Sequence, residues 1–147
     1  MKHSEKALNL FLSGYNCSQS VLAAFSDVIG LDKQTALKVS LGLGGGVGRM
    51  REICGVISAG AMILGAIYGG EESKDKQTAY EKTREFAEKF RAIHGCVICR
   101  ELLDLTVKME PSAKPDERNA EYYAKRPCAR LVVGACEILE AMLEEKS

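Results

Sequence analysis

From Ile53 to Gly70 the chain carries no charged residue, and five glycines between Gly42 and Gly48 lead into that run. A helix that is apolar on every side has to be wrapped by other helices or by lipid. This one is at the lower limit of length for crossing a bilayer. It is rich in Gly and Ala, and the segments around it read as amphipathic helices, so the expectation is a central helix inside a bundle and no membrane. Gly55, Ala59, Ala61 and Gly65 offer small surfaces for neighbouring helices, Ile57, Ile63, Leu64 and Ile67 supply bulk, and Cys54 stands in the first turn.

The rest of the chain supplies the wrapping. Ala7, Leu8 and Phe11 share a face of a helix over Ser4 to Leu12. Asn16 is a good N-cap, which puts Cys17 at the first helical position. Cys17, Val21, Leu22, Phe25, Val28 and Ile29 then recur at helical spacing up to Gly30, a C-cap residue. Asp32 caps a helix from Lys33 to about Leu43, with Leu37 and Leu41 inward. Ser73 caps a long helix to Ile93 whose stripe is Tyr80, Thr83, Phe86, Ala87 and Phe90. His94 at its end favours the helix dipole over a metal. A short helix begins with Cys99-Arg-Glu-Leu-Leu-Asp-Leu, Lys108 to Arg118 with Pro111 and Pro115 reads as a surface loop, and a helix or turn covers Asn119 to Lys125. Pro127 suits the first turn of a final helix, on which Cys128, Leu131, Val132, Ala135, Leu139 and Met142 share one face. No strand pattern, repeat or low-complexity segment stands out. The fold class is all-α, a bundle of about five main helices around the apolar one, and 147 residues make one domain, 1–147.

Twenty basic and twenty acidic residues leave no net charge, and aromatics are few, which argues against nucleic acid. The apolar run in MKHSEKALNLFL is too short and too broken by charge for a signal peptide, so a cytoplasmic location is expected. In that reducing setting six cysteines point to metal ligands, redox thiols or small buried hydrophobes before structural disulfides.

Four of the six, Cys17, Cys54, Cys99 and Cys128, fall where helices begin. A helix amino end carries partial positive charge and spare N–H donors, which lowers a thiol pKa. Four converging thiolates cannot be buried without a cation. Four cysteines hold either an iron–sulfur cluster or a structural zinc. Small zinc sites draw on paired C-x-x-C knuckles, whereas these four are spread from position 17 to 128, so the spacing leans toward a cluster between helices. Arg49, Arg51, Arg100, Arg126 and Arg130 flank three of the cysteines and suit an anionic cluster or a solvated surface equally. The glycine run is no nucleotide loop: Arg49-Met50 follows its last glycine in place of Lys-Ser/Thr. It is either a hinge or a backbone that approaches a cofactor closely, Gly45, Gly46, Gly48 and Arg51 being the candidates to surround it. Cys96 forms a C-x-x-C with Cys99 but lacks a βαβ context, and Cys136 reads as a buried small hydrophobe. No catalytic acid, base or nucleophile is assigned.

These residues resemble the redox-active family named for its C_GCAxxG_C_C pattern, over nearly the whole chain. Asn16-Cys17-Ser-Gln-Ser matches the first cysteine, GLGGGVGRMREICGVISAG the glycine segment and Cys-Gly-Ala motif, Cys99-Arg-Glu-Leu-Leu the third and Pro127-Cys128 the fourth. Val56 stands where the motif has alanine, and Ala59 where its last glycine is expected, with Gly60 one place later. The family is similar to a domain of split-Soret cytochromes, which implies an iron–sulfur centre on these four cysteines. No C-x-x-C-H is present, so covalent haem is not expected. Three readings follow: an electron-transfer protein with a cysteine-held cluster, [2Fe–2S] for preference; a metal-free thiol–disulfide protein; and a structural or partner-binding domain with zinc or nothing in the site. The first two imply a redox partner protein or a small electron donor or acceptor, and the small-residue helix faces allow a homodimer.

Overall fold

A computed structural model describes residues 1–103 and 112–146. Among these the chain is all-α. The helices are α1 (His3–Leu12), α2 (Cys17–Ala24), α3 (Ser26–Ile29), α4 (Lys33–Ser40), α5 (Gly55–Tyr68), α6 (Lys76–His94), α7 (Cys99–Leu102), α8 (Ala120–Lys125) and α9 (Cys128–Lys146). Short 3-10 turns cover Leu41–Leu43 and Ser73–Asp75. The only extended pairing among the described residues is a single antiparallel bridge between Ile53 and Ile98.

Three helices share the middle. α2 touches α1, α4, α5 and α9; α5 touches α2, α6 and α9; α9 touches α1, α2, α5 and α6. The apolar helix α5 is therefore central but not enclosed. Val56, Ile57, Ile63 and Leu64 are buried, whereas Met62 is 37% exposed and Ala66 faces out. The outward stripe is mostly small side chains, so leaving it bare forfeits little apolar burial. Gly65 faces open space, but Gly55 abuts Ser18 of α2, and a Cβ on Gly60 would collide with the Phe86 ring of α6. The close α5–α6 approach thus depends on glycine at that position.

The most completely buried helix is α2, where every residue from Ser18 to Ala24 is inside. Its polar side chains are satisfied. Ser18 Oγ donates to Ser40 O at 2.8 Å, Ser20 Oγ to Asn16 O at 2.7 Å and Gln19 Nε2 to Leu37 O at 2.9 Å. A buried hydroxyl or amide with a partner costs little, which is why a stretch reading Cys-Ser-Gln-Ser sits in the core.

Several expected boundaries move. The helix from Cys17 to Gly30 breaks at Phe25 (φ −100°, ψ 10°), and Gly30 takes the left-handed cap of the short α3. The next helix ends at Ser40, so Leu41 is 58% exposed, not inward. Ser73 opens a 3-10 turn that Asp75 closes onto the Glu72 N–H, and α6 starts only at Lys76. Tyr80 is 63% exposed, and the buried stripe of α6 is Phe86 and Phe90. In the expected 108–118 loop, Ser112 to Glu117 are exposed; Lys108 to Pro111 lie outside the described residues, as do Asp104 and Leu105 of the helix expected from Cys99.

Candidate metal centre

Each of the four cysteines is set by its own piece of backbone. Asn16 caps α2 by accepting from Gln19 N at 2.9 Å and donates its own N–H to Gln19 Oε1 at 3.0 Å, which fixes Cys17 in the first turn. Cys54 is the N-cap of α5, one position before the first turn. Its N–H donates to Val97 O at 2.9 Å, and Cys99 N donates to Glu52 O at 2.6 Å. The Ile53–Ile98 bridge between these bonds sets Cys54 and Cys99 beside each other, with Cys99 opening α7. Pro127 O accepts the N–H of Leu131, and Cys128 is the first residue of α9.

The glycine segment is a folded loop, not a loose hinge. Gly45, Gly46 and Gly48 have φ of 64°, 74° and 55°; Val47, Arg49 and Arg51 share that left-handed region at 66°, 60° and 62°. A β-branched or bulky residue there is strained, and such strain persists where the surroundings over-determine it. The loop's own bonds do so: Gly48 N to Gly42 O at 2.8 Å, Arg51 N to Gly45 O at 3.0 Å and Glu52 N to Gly46 O at 2.9 Å. The N–H of Gly48 is thereby spent, while those of Gly45 and Gly46 enter no backbone hydrogen bond among the described residues. Gly46 lies so close to Cys99 that an added Cβ would sit 2.7 Å from the Cys99 Cβ.

A cavity of about 360 Å³ opens between these pieces. Cys17, Cys99 and Cys128 line it, with Gly45 and Gly48 on one wall. Cys54 is buried beside it. Four arginines, Arg49, Arg51, Arg118 and Arg126, face it against one acid, Asp116. Arg51 is only 7% exposed. Its Nη1 donates to Cys99 Sγ at 3.7 Å, and its Nε is buried with no hydrogen-bond partner among the described residues. Arg118 donates to Phe11 O and Tyr15 O, both at 2.9 Å, and lies over the Phe11 and Tyr122 rings. Of the flanking arginines read from the sequence, Arg49, Arg51 and Arg126 reach the cavity, whereas Arg100 pairs with Glu52 at the surface and Arg130 is exposed on α9. Arg118 and Asp116 were missed; both lie on an irregular segment where no periodicity points inward.

The thiols perturb one another. The neighbouring Cys128 thiol, then burial, holds the Cys17 pKa well above its usual value. The same pairing pulls Cys128 down to about 7, helped against its burial by Arg126, Arg118 and Arg51. Burial pushes Cys54 up to about 12, with the Cys99 and Cys128 charges adding to it. Burial also raises Cys99, opposed by Arg51. The helix-end expectation of four lowered thiols therefore holds for Cys128 alone: in the other three, desolvation and mutual repulsion outweigh the dipole. All four nevertheless feel each other's charge, as groups sharing one pocket do.

The remaining candidates stay apart. Cys96 Sγ contacts Ile98 O at 3.9 Å and lies outside the cavity. Cys136 is fully buried on the inner face of α9, its thiol pushed up to about 12 by burial. All six cysteines are free thiols. His94 is not the charged helix-end residue expected: burial, then Arg130, lowers its pKa, and its Nε2 is buried without a partner beside Phe90. Among the described residues no three His, Cys, Asp or Glu side chains are grouped tightly enough to hold a single ion. No described helix is long and apolar enough to cross a membrane.

A family model described as "Putative redox-active protein (C_GCAxxG_C_C)" matches residues 15–142. No curated protein and no solved structure matches the chain.

Proposed function

The chain belongs to the C_GCAxxG_C_C family of redox-active proteins, and from that premise we propose that it is an electron-transfer protein carrying an iron–sulfur cluster, [2Fe–2S] for preference, on Cys17, Cys54, Cys99 and Cys128. The observation that carries this reading is that three thiols, Cys17, Cys99 and Cys128, line one cavity faced by four arginines, with the fourth, Cys54, buried within electrostatic reach of them, each at a separate helix start.

The donor set suits the group. Four thiolates are the commonest ligands of such clusters. A cluster ligated by four thiolates is net negative, and the surplus of arginines over Asp116 is the charge needed to hold it. The partnerless Arg51 Nε and the open N–H groups of Gly45 and Gly46 are donors for sulfur acceptors, which set the potential of a cluster. A single zinc draws its four sulfurs to within about 4 Å of each other, given Zn–S bonds of about 2.3 Å. When bound, the cluster supplies reversible one-electron transfer. The chain's own residues bury Cys54, Cys99 and Cys128 away from bulk water and hold cationic charge beside the sulfurs.

A second reading rests on the neighbouring Cys17 and Cys128 thiols, which line the same cavity. Two neighbouring thiols, one with its pKa lowered to about 7, are suited to thiol–disulfide exchange without metal. Cys128 thiolate attacks a partner disulfide, Cys17 resolves the mixed disulfide, and the partner leaves as a dithiol.

Anaerobic purification separates the two. Brown protein with iron, acid-labile sulfide and a cluster EPR signal on reduction supports the first reading. Colourless protein whose free-thiol count rises with dithiothreitol supports the second. Serine at Cys17, Cys54, Cys99 or Cys128 is expected to abolish the colour, and at Cys136 to leave it; a cluster that persists in Cys54→Ser removes that residue from the ligand set.

A further inference from the structure

Asp116 is the one carboxylate facing the cavity among the described residues, and three guanidiniums converge on it. Its Oδ2 accepts from Arg126 Nη2 at 2.7 Å and Arg49 Nη2 at 3.1 Å, with Arg51 Nη2 at 3.8 Å. The three arginines come from the glycine loop and from the residues before α9, segments that otherwise share no backbone pairing. Arg49 also donates through Nη1 to Ser112 O at 2.7 Å and to Lys114 O. On the far side of the segment, Arg118 anchors it to Phe11 O and Tyr15 O. Residues 112–118 are thus a strap drawn across the sulfur cavity and tied at both ends by arginine. Ala113 and Pro115 of the strap line the cavity, so it forms part of the wall shared with Cys17, Cys99 and Cys128.

We propose that Asp116 is a positioning residue: it gathers Arg49, Arg51 and Arg126 at the sulfurs and fastens the 112–118 strap over them. Three like charges held within one small cavity repel each other, and the shared carboxylate keeps them there. Asp116 itself touches no sulfur; it acts through the arginines. Its influence on electron affinity rests on the cluster reading above, while its control of access to the thiols does not.

The test is Asp116→Asn, with Asp116→Glu as the charge-keeping partner and Glu121→Gln, which breaks the exposed Lys125 pair on α8, as a surface control. Native-state labelling with iodoacetamide, read per cysteine by mass spectrometry on protein as purified, measures access. Asp116→Asn is expected to speed labelling of Cys17 and Cys128 by about tenfold or more, the response to losing a charged hydrogen bond that holds a local opening closed. Asp116→Glu stays closer to wild type, and Glu121→Gln is unchanged. Cys136, buried elsewhere in the core, is the internal reference. If it accelerates as much as Cys17 and Cys128, the effect is global and the strap is refuted; so is it if no rate changes. In iron-loaded protein the midpoint potential gives a second readout. Loss of the gathered arginines lowers the potential in Asp116→Asn, whereas a carboxylate acting only by its own charge would raise it on removal, and a rise overturns the positioning role. Protein without iron refutes the cluster reading and leaves the labelling result to decide the strap.

Discussion

Substituting alanine at two glycines of one loop, Gly46 and Gly48, isolates the value of a single close approach. Both have left-handed backbone, at φ of 74° and 55°, so a Cβ at either costs about 1–2 kcal/mol from conformation alone. Their surroundings differ. A Cβ on Gly48 meets nothing within 4 Å. A Cβ on Gly46 would lie 2.5 Å from Glu52 N, 2.7 Å from Cys99 Cβ and 2.9 Å from the Arg51 carbonyl carbon. Two of those atoms are backbone and cannot swing aside, and overpacking of that kind costs about 1–3 kcal/mol more. The expected losses are about 2–5 kcal/mol for Gly46→Ala and about 1–2 kcal/mol for Gly48→Ala. Urea denaturation under anaerobic, reducing conditions measures both, provided the m-values agree with wild type. Iron content per chain is the companion readout, since relief of the clash moves either Cys99 or the Glu52 backbone that bonds to it. If the two variants fall within about 0.5 kcal/mol of each other, a difference at the scale of ordinary surface substitutions, then Gly46 does not pack against Cys99 as described.

Asn16→Ala removes the cap of α2 together with the Asn16 Nδ2 bond to Leu41 O at 3.0 Å, and should cost about 0.5–2 kcal/mol in the same denaturation assay. Gly60→Ala drives a methyl into the Phe86 ring and is expected to lower stability by about 1–3 kcal/mol, more than the same change at Gly65, which faces open space. In metal-free reduced protein, alkylation should single out Cys128. With its pKa near 7 its thiolate fraction climbs steeply between about pH 6 and 8, whereas Cys54, at about 12, stays protonated over that range. Equal labelling of the two at pH 7 would falsify the assignment of Cys128 as the one lowered thiol.

Much of this arrangement is legible in the residues, for identifiable reasons. Asn16 and Asp32 announce helix starts because their side chains satisfy free N–H groups, and both do so. The α9 stripe from Cys128 to Met142 is buried throughout, as its spacing requires. What periodicity leaves open is how far a neighbour extends along a face. Leu41 and Tyr80 keep the right phase, yet Leu41 lies past the end of its helix and Tyr80 near the start of its own, and both are exposed. The Ile53–Ile98 bridge has no alternating pattern to betray it, because one pair of residues has no period. The Asp116 contacts join an irregular segment to arginines far away in sequence, a relation that only the tertiary structure creates. Three of the four thiol pKa values went the other way from the helix-dipole argument, because that argument counts the helix end and omits burial and the neighbouring thiols.

The sulfur set is built in two halves. Main-chain bonds across the Ile53–Ile98 bridge fix the spacing of Cys54 and Cys99, and those bonds are indifferent to protonation. A cation arriving at the four sulfurs has to displace protons from both halves, from Cys17 on one side and from Cys54 and Cys99 on the other, whose thiols are all held above their usual pKa. Acidity of the medium should therefore oppose assembly through both halves, while the main-chain bonds keep Cys54 and Cys99 spaced as a standing template.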